Sequence, residues 1–418
     1  MIAQIAPAKM GGKVDSIPSK SYAHRMLLCA MLSNSQTELY GVTGSKDIEA
    51  TINCIKALYG DVVIKPDKYI VKPINKERED IVLDCIESGS TLRFILPIAL
   101  ALGKSCKVIG KEGLQKRPLK DLVDVLRAHG GVIDAESLPL NISGKLISGD
   151  YRINGSVSSQ YITGLLMALP ILDGDSTLTI DGEIVSSKYI DITLDVLQNF
   201  GIKIERVDNN SFYIQGNQKY SNKTDLRVQG DWSNAAFWLA LGALNGETQV
   251  NKLFFDSVQG DREILQIVMD MGAKVAIRGD NVIVSKKALQ SITVDAKDIP
   301  DLMPIVSILM ANADGISVMK NVDRLKTKET DRLKAIMENL AKMGIQARYQ
   351  DGELLILGGK IKAFNVDSYN DHRMVMMAAI AASIADGNCE ITNIEAVDKS
   401  YPNFFDDYKK LGGKVNVK

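Results

Sequence analysis

A pattern that recurs about every seventy residues constrains the fold of this chain more than any other feature. Six amphipathic helical segments each end at a glycine, and a strand-like segment rich in β-branched residues follows. Glycine is the usual residue after a helix C-terminus, because it adopts the left-handed backbone conformation without a Cβ penalty. These glycines stand 68 to 72 residues apart: Gly60, Gly130, Gly201, Gly272, Gly344 and Gly412.

A second series of six helical segments runs out of phase with the first. Each opens with a polar cluster and then becomes almost wholly apolar, as is typical of a helix buried on all sides. The clusters begin near Ser19, Ser90, Ser158, Ser233, Asp301 and Asp371. We therefore predict six copies of one α/β element group, each with one exposed and one buried helix. Because 418 residues exceed the size of a single core, we assign three copies to each of two domains.

Composition argues against several classes of partner. Lys and Arg total 50 and Asp and Glu total 51, so net charge gives no support to nucleic acid or anionic membrane. The five cysteines lack metal-binding or disulfide spacing, which favours a reducing cytoplasm. The first residues lack signal-peptide features, and the longest apolar stretches fall short of the ~20 residues that span a bilayer. We expect a cytoplasmic monomer with no nucleic-acid or membrane partner.

Cationic side chains at the starts of buried helices are the first functional signal. A helix N-terminus carries roughly half a positive charge, so Lys or Arg is unfavourable there unless an anion is present. Lys20 and Arg25 stand in the first such helix, Arg93 in the second and Arg373 in the sixth. This placement predicts a phosphate or carboxylate ligand.

Several polar residues in the same segments also have a plain structural interpretation. For Ser90, Ser233 and Asp371, taken singly, we favour helix N-capping over ligand binding. The segment from Lys328 to Arg332 is equally consistent with an anion site and with a helix capped by Thr330. Both interpretations stay open at this point.

Known sequence motifs for metals and nucleotides are absent. The dinucleotide-binding glycine pattern, the P-loop, H-E-x-x-H and G-x-S-x-G do not occur, and there are only 3 histidines. We therefore predict no metal and no cofactor. Handling of phosphate would then depend on Arg, Lys and backbone dipoles.

Several segments together resemble the EPSP synthase family of enolpyruvyl transferases over nearly the whole chain. In the family's order, they are Ser19–Arg25, Gly89–Arg93, Arg117-Pro118, Gly155–Gln160, Val185–Ile192, Asp298–Asp301, Lys328–Arg332, Tyr369–Met374 and Lys399–Pro402. The resemblance implies an α/β fold of two domains, each made of three βαβαββ units with buried helices, an inverse α/β barrel. It implies a discontinuous first domain, 1–15 with 230–418, and a second domain, 16–229. The buried helices would point their N-termini into a cleft that closes on ligands.

The implied reaction moves the enolpyruvyl group of phosphoenolpyruvate to the 5-hydroxyl of shikimate 3-phosphate and releases phosphate. It is a step of chorismate and aromatic amino acid biosynthesis. By motif position, shikimate 3-phosphate is implied to contact Lys20, Ser21, Arg25, Ser158, Ser159, Gln160, Ser186, Tyr189, Asp301 and Lys328. Phosphoenolpyruvate is implied to contact Lys20, Gly89, Arg117, Gln160, Arg332, Arg373 and Lys399.

Catalytic roles follow from the same resemblance. Asp301 is implied to be the base that takes the proton of the 5-hydroxyl, with Lys328 close enough to assist. Glu329 is implied to give a proton to C3 of phosphoenolpyruvate and later to take one back. Lys20 is implied to stabilise the leaving phosphate.

Some positions differ from the family pattern. Residues 87–91 read Glu-Ser-Gly-Ser-Thr, where the family commonly has Asn-Ala-Gly-Thr-Ala. This change beside Gly89 should alter the fit of the phosphoenolpyruvate pocket and leaves inhibitor tolerance open. Lys326 stands where the family usually has Arg, and Arg324 is a candidate contact of the shikimate phosphate.

Three other functions are less well supported. The related transferase that acts on UDP-N-acetylglucosamine carries a reactive Cys ahead of an Arg-Pro pair, and residues 112–118 contain none. An RNA-terminal phosphate cyclase is disfavoured by near-zero net charge and 6% aromatic residues. A non-catalytic sensor of phosphorylated metabolites would keep the cations but would not need Asp301 and Glu329.

Overall fold

The computed structural model of the chain describes residues 1–42, 44–74, 80–221 and 226–418. They form two compact units: residues 1–17 with 229–418 are the first unit, and residues 18–228 are the second. Each unit has its own hydrophobic core. The boundaries implied by the resemblance were 15/16 and 229/230.

The helices fall into two kinds, wholly buried and amphipathic. In chain order they are α1 Lys20–Leu32, α2 Lys46–Ala57, α3 Gly89–Ala101, α4 Glu112–Gln115, α5 Lys120–Ala128, α6 Ser159–Ala168, α7 Lys188–Asn199, α8 Trp232–Leu244, α9 Ile264–Asp270, α10 Met303–Ala311, α11 Arg332–Lys342, α12 His372–Ser383 and α13 Phe404–Lys410. Short 3-10 helices span Leu169–Ile171, Gly260–Glu263, Val322–Thr327 and Ile394–Lys399.

The strands are short and numerous. The first thirteen are β1 Ile2–Ala6, β2 Gly12–Asp15, β3 Thr37–Tyr40, β4 Asp61–Ile64, β5 Lys68–Lys72, β6 Ile81–Asp84, β7 Cys106–Ile109, β8 Gly131–Ile133, β9 Leu140–Gly144, β10 Asp150–Asn154, β11 Ser176–Asp181, β12 Glu205–Arg206 and β13 Ser211–Ile214. The others are β14 Leu226–Arg227, β15 Glu247–Asn251, β16 Lys274–Arg278, β17 Asn281–Ser285, β18 Leu289–Gln290, β19 Thr293–Asp295, β20 Ala313–Asp314, β21 Ile316–Lys320, β22 Gln346–Gln350, β23 Glu353–Leu357, β24 Asn365–Asp367, β25 Cys389–Thr392 and β26 Lys414–Val417.

Six four-stranded sheets in the described residues share one pattern, which confirms the mixed α/β class. In the sheet β6-β7-β9-β8, β6 and β7 are parallel, and β9 is antiparallel to both of its neighbours. Helix α3 lies between β6 and β7 in the chain, and α5 lies between β7 and β8, so the order is βαβαββ. The others are β14-β3-β5-β4 and β10-β11-β13-β12 in the second unit, and β16-β17-β15-β2, β19-β21-β23-β22 and β24-β25-β1-β26 in the first.

Three sheets are assembled from distant parts of the chain, and in one of them β2 pairs in parallel with β15. Strand β14 pairs in parallel with β3, so the end of the second unit completes the sheet near its beginning. Strand β1 lies between β25 and β26 and is antiparallel to both. The N-terminus therefore completes the last copy of the first unit, and repeat spacing alone did not predict this exchange.

The buried helices are enclosed because they are apolar on every side. All twelve residues of α12 are buried, and in α3 every residue except Ser90 is buried. Amphipathic helices such as α5 bury one face, including Leu122 and Leu126. The predicted alternation of buried and exposed helices is confirmed in these elements.

The helix-terminating glycines follow the prediction in five copies and differ from it in the first. Five of them have φ between 75° and 96°: Gly130, Gly201, Gly272, Gly344 and Gly412. In the first copy, Tyr59 takes the left-handed conformation with φ of 72°, and Gly60 does not. Gly60 is needed for close packing, since a Cβ there would lie 2.7 Å from Ile55 Cγ2.

None of the described helices combines the length and the apolar character needed to cross a lipid bilayer.

Close packing of α6 on α3 generates a stability prediction. A Cβ added at Gly164 would lie 2.8 Å from Pro97 Cγ and would press on the Arg93 carbonyl oxygen. Since a backbone oxygen and a proline ring cannot easily move aside, we expect Gly164→Ala to lower the free energy of unfolding by about 1–3 kcal/mol. Urea unfolding followed by circular dichroism measures this.

Gly113→Ala is the matched control for this substitution. Its added Cβ would meet nothing closer than 3.8 Å, so its unfolding midpoint should stay near that of the native protein. Equal midpoints for the two variants would show that the contact between α3 and α6 is looser than described.

Candidate active site

Arg332 has no exposed side-chain surface and is surrounded by carboxylates of the first unit. Its Nε donates to Asp371 Oδ2 at 2.7 Å, its Nη1 to Asp301 Oδ1 at 2.6 Å, and its Nη2 to Glu329 Oε2 at 2.7 Å. Burial lowers the pKa of this guanidinium, but the three carboxylates outweigh burial and hold it well above its usual value. Arg332 is therefore a fixed cation that holds two predicted catalytic carboxylates in place.

Asp301, which stands just before α10, lies among three cations. Besides its bond to Arg332, its Oδ2 lies 3.3 Å from Arg373 Nη2, and its Oδ1 lies 3.9 Å from Lys328 Nζ. Asp301 is 17% exposed, so it is accessible to a small molecule. The structure thus brings together five of the predicted site residues: Asp301, Lys328, Glu329, Arg332 and Arg373.

Lys328 titrates near neutral pH because of its surroundings. Burial is the main cause that lowers the pKa of its ammonium group, to about 8. Asp301 acts in the opposite direction, and the neighbouring guanidinium of Arg324 lowers the pKa further. A lysine of this kind can carry charge at pH 7 and can also exchange a proton.

The start of α12 collects further charged groups. Asp371 caps this helix by accepting a hydrogen bond from the Arg373 backbone N–H at 2.9 Å, so the capping interpretation is confirmed for it. Lys399 Nζ donates to the Asn370 carbonyl oxygen at 2.8 Å. Arg373 and Lys399 therefore both lie at one helix N-terminus, a position suited to an anion.

Arg25 is the buried guanidinium of the second unit, and its partners are neutral oxygens. Its Nε donates to Thr193 Oγ1 at 2.9 Å, and its Nη2 donates to Thr163 Oγ1 at 3.2 Å and to the Tyr189 carbonyl at 3.1 Å. Its Nη1 donates to the Ser21 carbonyl at 2.8 Å. Burial lowers its pKa to about 10. Within the described part of the chain, no carboxylate offsets this charge, which favours binding of an anion.

The starts of α3 and α6 are joined through Gln160. Its Nε2 donates to Ser90 Oγ at 2.8 Å, and its Oε1 accepts from Arg93 Nη1 at 2.6 Å. At Gly89, a Cβ would lie 3.1 Å from Arg117 Cζ, so glycine lets that guanidinium approach the helix start. The predicted residues Gly89, Arg117 and Gln160 are therefore neighbours.

The other predicted residues of the second unit also lie near helix starts. Lys20, the first residue of α1, has its Nζ 2.6 Å from Asp47 Oδ2. Ser158 caps α6 by accepting from the Gln160 N–H at 3.3 Å, and Ser159 follows it as a buried residue. Ser186 is buried in a left-handed conformation with φ of 54°, ahead of α7.

Two capping predictions were wrong, and Thr330, which one of the two open interpretations made a cap, is not one. Ser88, not Ser90, caps α3, and the Ser90 hydroxyl binds Gln160 instead. Asp231 caps α8, and the Ser233 hydroxyl binds Asp261. Asp331, not Thr330, caps α11. For α3 and α8 the cap lies two residues earlier and has the extended backbone that an N-cap requires, whereas for α11 it lies one residue later.

Several residues of the site were missed by the sequence analysis. Asp47 pairs with Lys20, and Thr163 and Thr193 hold Arg25. Thr193 follows Tyr189 by one helical turn, which is the one signal in the sequence that could have placed it beside Tyr189. Nothing local indicates Asp47 or Thr163, since their partners lie far away in the chain. Arg324, the candidate phosphate contact, donates to the Lys297 carbonyl.

Comparison with known proteins gives a consistent picture. A family model for EPSP synthase (3-phosphoshikimate 1-carboxyvinyltransferase) matches residues 5–408. A 3-phosphoshikimate 1-carboxyvinyltransferase from Clostridium novyi is 39% identical and covers 99% of this chain and 98% of its own. The corresponding protein from Brachyspira hyodysenteriae is 37% identical and covers 99% and 100%.

Solved structures share the fold. An EPSP synthase from Acinetobacter baumannii superposes with a TM-score of 0.84 at 22% identity over 100% of both chains. The enolpyruvyl transferase NikO from Streptomyces tendae gives a TM-score of 0.81 at 15% identity, over 99% of this chain and 98% of its own.

Removal of the central cation should expose the repulsion among its partners. Arg332→Met leaves three carboxylates without their guanidinium, so we expect the free energy of unfolding to fall by roughly 3–5 kcal/mol at pH 7.5. The loss should be smaller at pH 5.5, because carboxylates that lack a cation take up protons more readily. Chemical unfolding at the two pH values measures both effects.

Lys334→Met, on the same helix but 69% exposed, provides the control. It should change stability by less than about 0.5 kcal/mol at either pH. A loss for Arg332→Met that does not depend on pH would contradict the electrostatic explanation.

Proposed function

The chain belongs to the EPSP synthase family (3-phosphoshikimate 1-carboxyvinyltransferase), and on this basis we propose the reaction and the roles of its charged residues. The protein transfers the enolpyruvyl group of phosphoenolpyruvate to the 5-hydroxyl of shikimate 3-phosphate and releases phosphate. The observation that carries the assignment is the pair of carboxylates on one buried arginine: Asp301 and Glu329 both accept from Arg332. A protein that only binds phosphorylated metabolites needs cations, but it does not need this pair.

Shikimate 3-phosphate binds chiefly to the second unit in this proposal. Its phosphate supplies the negative charge that the buried Arg25 otherwise meets only as neutral oxygen dipoles. Polar groups at the nearby helix starts orient the molecule: Lys20, Ser21, Ser158, Ser159, Gln160, Ser186 and Tyr189. Asp301 and Lys328 bind the 5-hydroxyl, which is the acceptor.

Phosphoenolpyruvate binds to a denser set of cations. Arg332, Arg373 and Lys399 come from the first unit, and Lys20, Gly89, Arg117 and Gln160 come from the second. Two polyanions that bind side by side need several positive charges to offset their repulsion. Their joint binding converts a bimolecular reaction into an intramolecular one. The glycine at position 89 supports the role of Arg117, since it admits the guanidinium to the start of α3.

The chemistry proceeds by addition and then elimination. Asp301 takes the proton of the 5-hydroxyl group, and the oxygen of this hydroxyl bonds to C2 of phosphoenolpyruvate. Glu329 gives a proton to C3. The adduct then loses phosphate as the bond between C2 and the phosphate oxygen breaks, and Glu329 takes a proton from C3, whose C–H electrons restore the double bond. Lys20 stabilises the departing phosphate, and Lys328 assists Asp301, from which its Nζ lies 3.9 Å.

We also propose that each unit is an inverse α/β barrel, with sheets outside and buried helices inside. The complete burial of α12 and the near-complete burial of α3 support this arrangement.

The proposed roles predict which substitutions abolish turnover. Phosphate release is measured with each substrate alone and then with both, and it should require both. Asp301→Asn and Glu329→Gln should each lower kcat by about 100-fold or more, because each removes a proton-transfer group but keeps the side-chain shape. Asp173→Asn, whose side chain is 86% exposed, is the control and should keep full activity. Near-normal turnover of either variant would overturn its role.

Loss of the Lys328 charge should limit activity at high pH. Because its pKa is about 8, the ammonium group deprotonates as pH rises through that value, and kcat should fall there. Lys328→Arg stays charged, so its alkaline limb should move upward by at least about one pH unit, even if kcat is lower. The control is Lys334→Arg, at an exposed position, whose profile should match the native one. An unchanged alkaline limb in Lys328→Arg would exclude Lys328 as its source.

A further inference from the structure

Asp261 is a buried carboxylate that the proposed reaction does not use. It lies in the 3-10 helix Gly260–Glu263 and is 4% exposed. Its Oδ2 accepts a hydrogen bond from the Ser233 hydroxyl at the start of α8. Ser233, which therefore helps to position Asp261, also contacts Arg373.

Ser233 connects Asp261 to Arg373. Its hydroxyl meets Asp261, while its carbonyl oxygen accepts from Arg373 Nη1 at 3.5 Å. The other terminal nitrogen of Arg373 lies 3.3 Å from Asp301 Oδ2. The guanidinium of Arg373 therefore contacts Asp301 directly and reaches Asp261 through Ser233.

The charged groups that face Asp261 come from three elements. Asp231 caps α8, Asp301 precedes α10, and Arg373 belongs to α12. On its own helix, the neighbouring Arg262 is turned to the Phe255 carbonyl. Asp261 is thus buried near one guanidinium and two other carboxylates.

This crowding affects the charge on Asp261. Burial is the main cause that raises the pKa of its carboxyl group, to about 7, and the charge of Asp301 adds to it. Arg373 and the hydrogen bond from Ser233 act in the opposite direction. Near neutral pH, the two protonation states of Asp261 are therefore close in free energy, and Arg373 favours the charged form.

We propose that Asp261 is a positioning residue that takes up a proton when phosphoenolpyruvate binds to Arg373. This inference rests on the proposed function, in which Arg373 is a phosphoenolpyruvate ligand. An incoming anion neutralises the guanidinium and adds negative charge near Asp261 and Asp301, so the neutral form of Asp261 becomes favoured. The Ser233 hydroxyl can donate to the carboxylate or accept from the carboxyl group, so their hydrogen bond persists in both states.

Proton uptake gives the site a specific purpose. Arg373 donates to the Ser233 carbonyl, and in this proposal its electrostatic partner changes from protein carboxylates to the substrate. Protonation of Asp261 removes a competing negative charge that has no role in proton transfer. Asp301 can then keep its charge for catalysis.

Calorimetry tests the inference directly. Phosphoenolpyruvate is titrated into the Glu329→Gln protein saturated with shikimate 3-phosphate, at pH 7.5, in two buffers of different ionisation enthalpy. We expect uptake of about half a proton or more beyond the ligand's own protonation. With Asp261→Asn added to Glu329→Gln, this extra uptake should disappear, since the ligand's contribution is common to both proteins. Equal uptake by the two proteins would overturn the inference.

Steady-state kinetics give a second readout in the otherwise native enzyme. For Asp261→Asn, which is always neutral, the KM for phosphoenolpyruvate divided by the native value should fall about tenfold from pH 6 to pH 8.5. Ser233→Ala keeps the hydrogen bond from Arg373 to the backbone carbonyl of residue 233. It removes the hydroxyl that donates to Asp261 and favours the charged form of that carboxylate. Its KM should therefore begin to rise at a higher pH than the native KM. A constant ratio for Asp261→Asn, or an unshifted profile for Ser233→Ala in the folded protein, would contradict the inference.

Native turnover with both substrates separates this inference from the proposed function. Without phosphate release by the native protein, the proposed function itself fails. If native turnover is normal and proton uptake does not depend on Asp261, only the inference about Asp261 is wrong.

Discussion

The first unit depends on the charge network around Arg332. A guanidinium without any exposed surface could not remain there unpaired, and three carboxylates at 2.6 to 2.7 Å supply the pairing. They come from the cap of α12, from the segment before α10 and from the residues just ahead of α11. One cation therefore ties three parts of the unit together, and it fixes the geometry of the residues to which we assign proton transfer.

The second unit also contains a buried cation, Arg25, but its partners are of a different kind. Arg25 is surrounded by hydroxyl and carbonyl oxygens, and burial lowers its pKa to about 10. Neutral dipoles satisfy its hydrogen bonds but leave its charge uncompensated. An anion is thus favoured at Arg25, whereas Arg332 already has three carboxylate partners. In the function we propose, the second unit accordingly holds the phosphorylated acceptor, and the first unit carries the residues that move protons.

Local sequence rules predicted the helices better than they predicted the contacts of individual side chains. The alternation of apolar and amphipathic helices could be predicted, because the burial of a helix determines how apolar residues are spaced along it. N-caps were less readable: Ser90 and Ser233 have suitable side chains, but their hydroxyls bind Gln160 and Asp261 instead. Which serine of a polar cluster begins a helix depends on backbone conformation, and the sequence does not state it.

By itself, the sequence determined the repeat, the α/β class and the cationic helix starts, since each follows from the order and spacing of residue types. The tertiary structure alone decided which charges meet. Asp47 lies 27 residues from Lys20, and Asp371 lies 39 residues from Arg332. It also decided that β1 completes the sheet of β25 and β26. Pairing across such distances is set by how helices pack and strands register, and these depend on the whole chain at once.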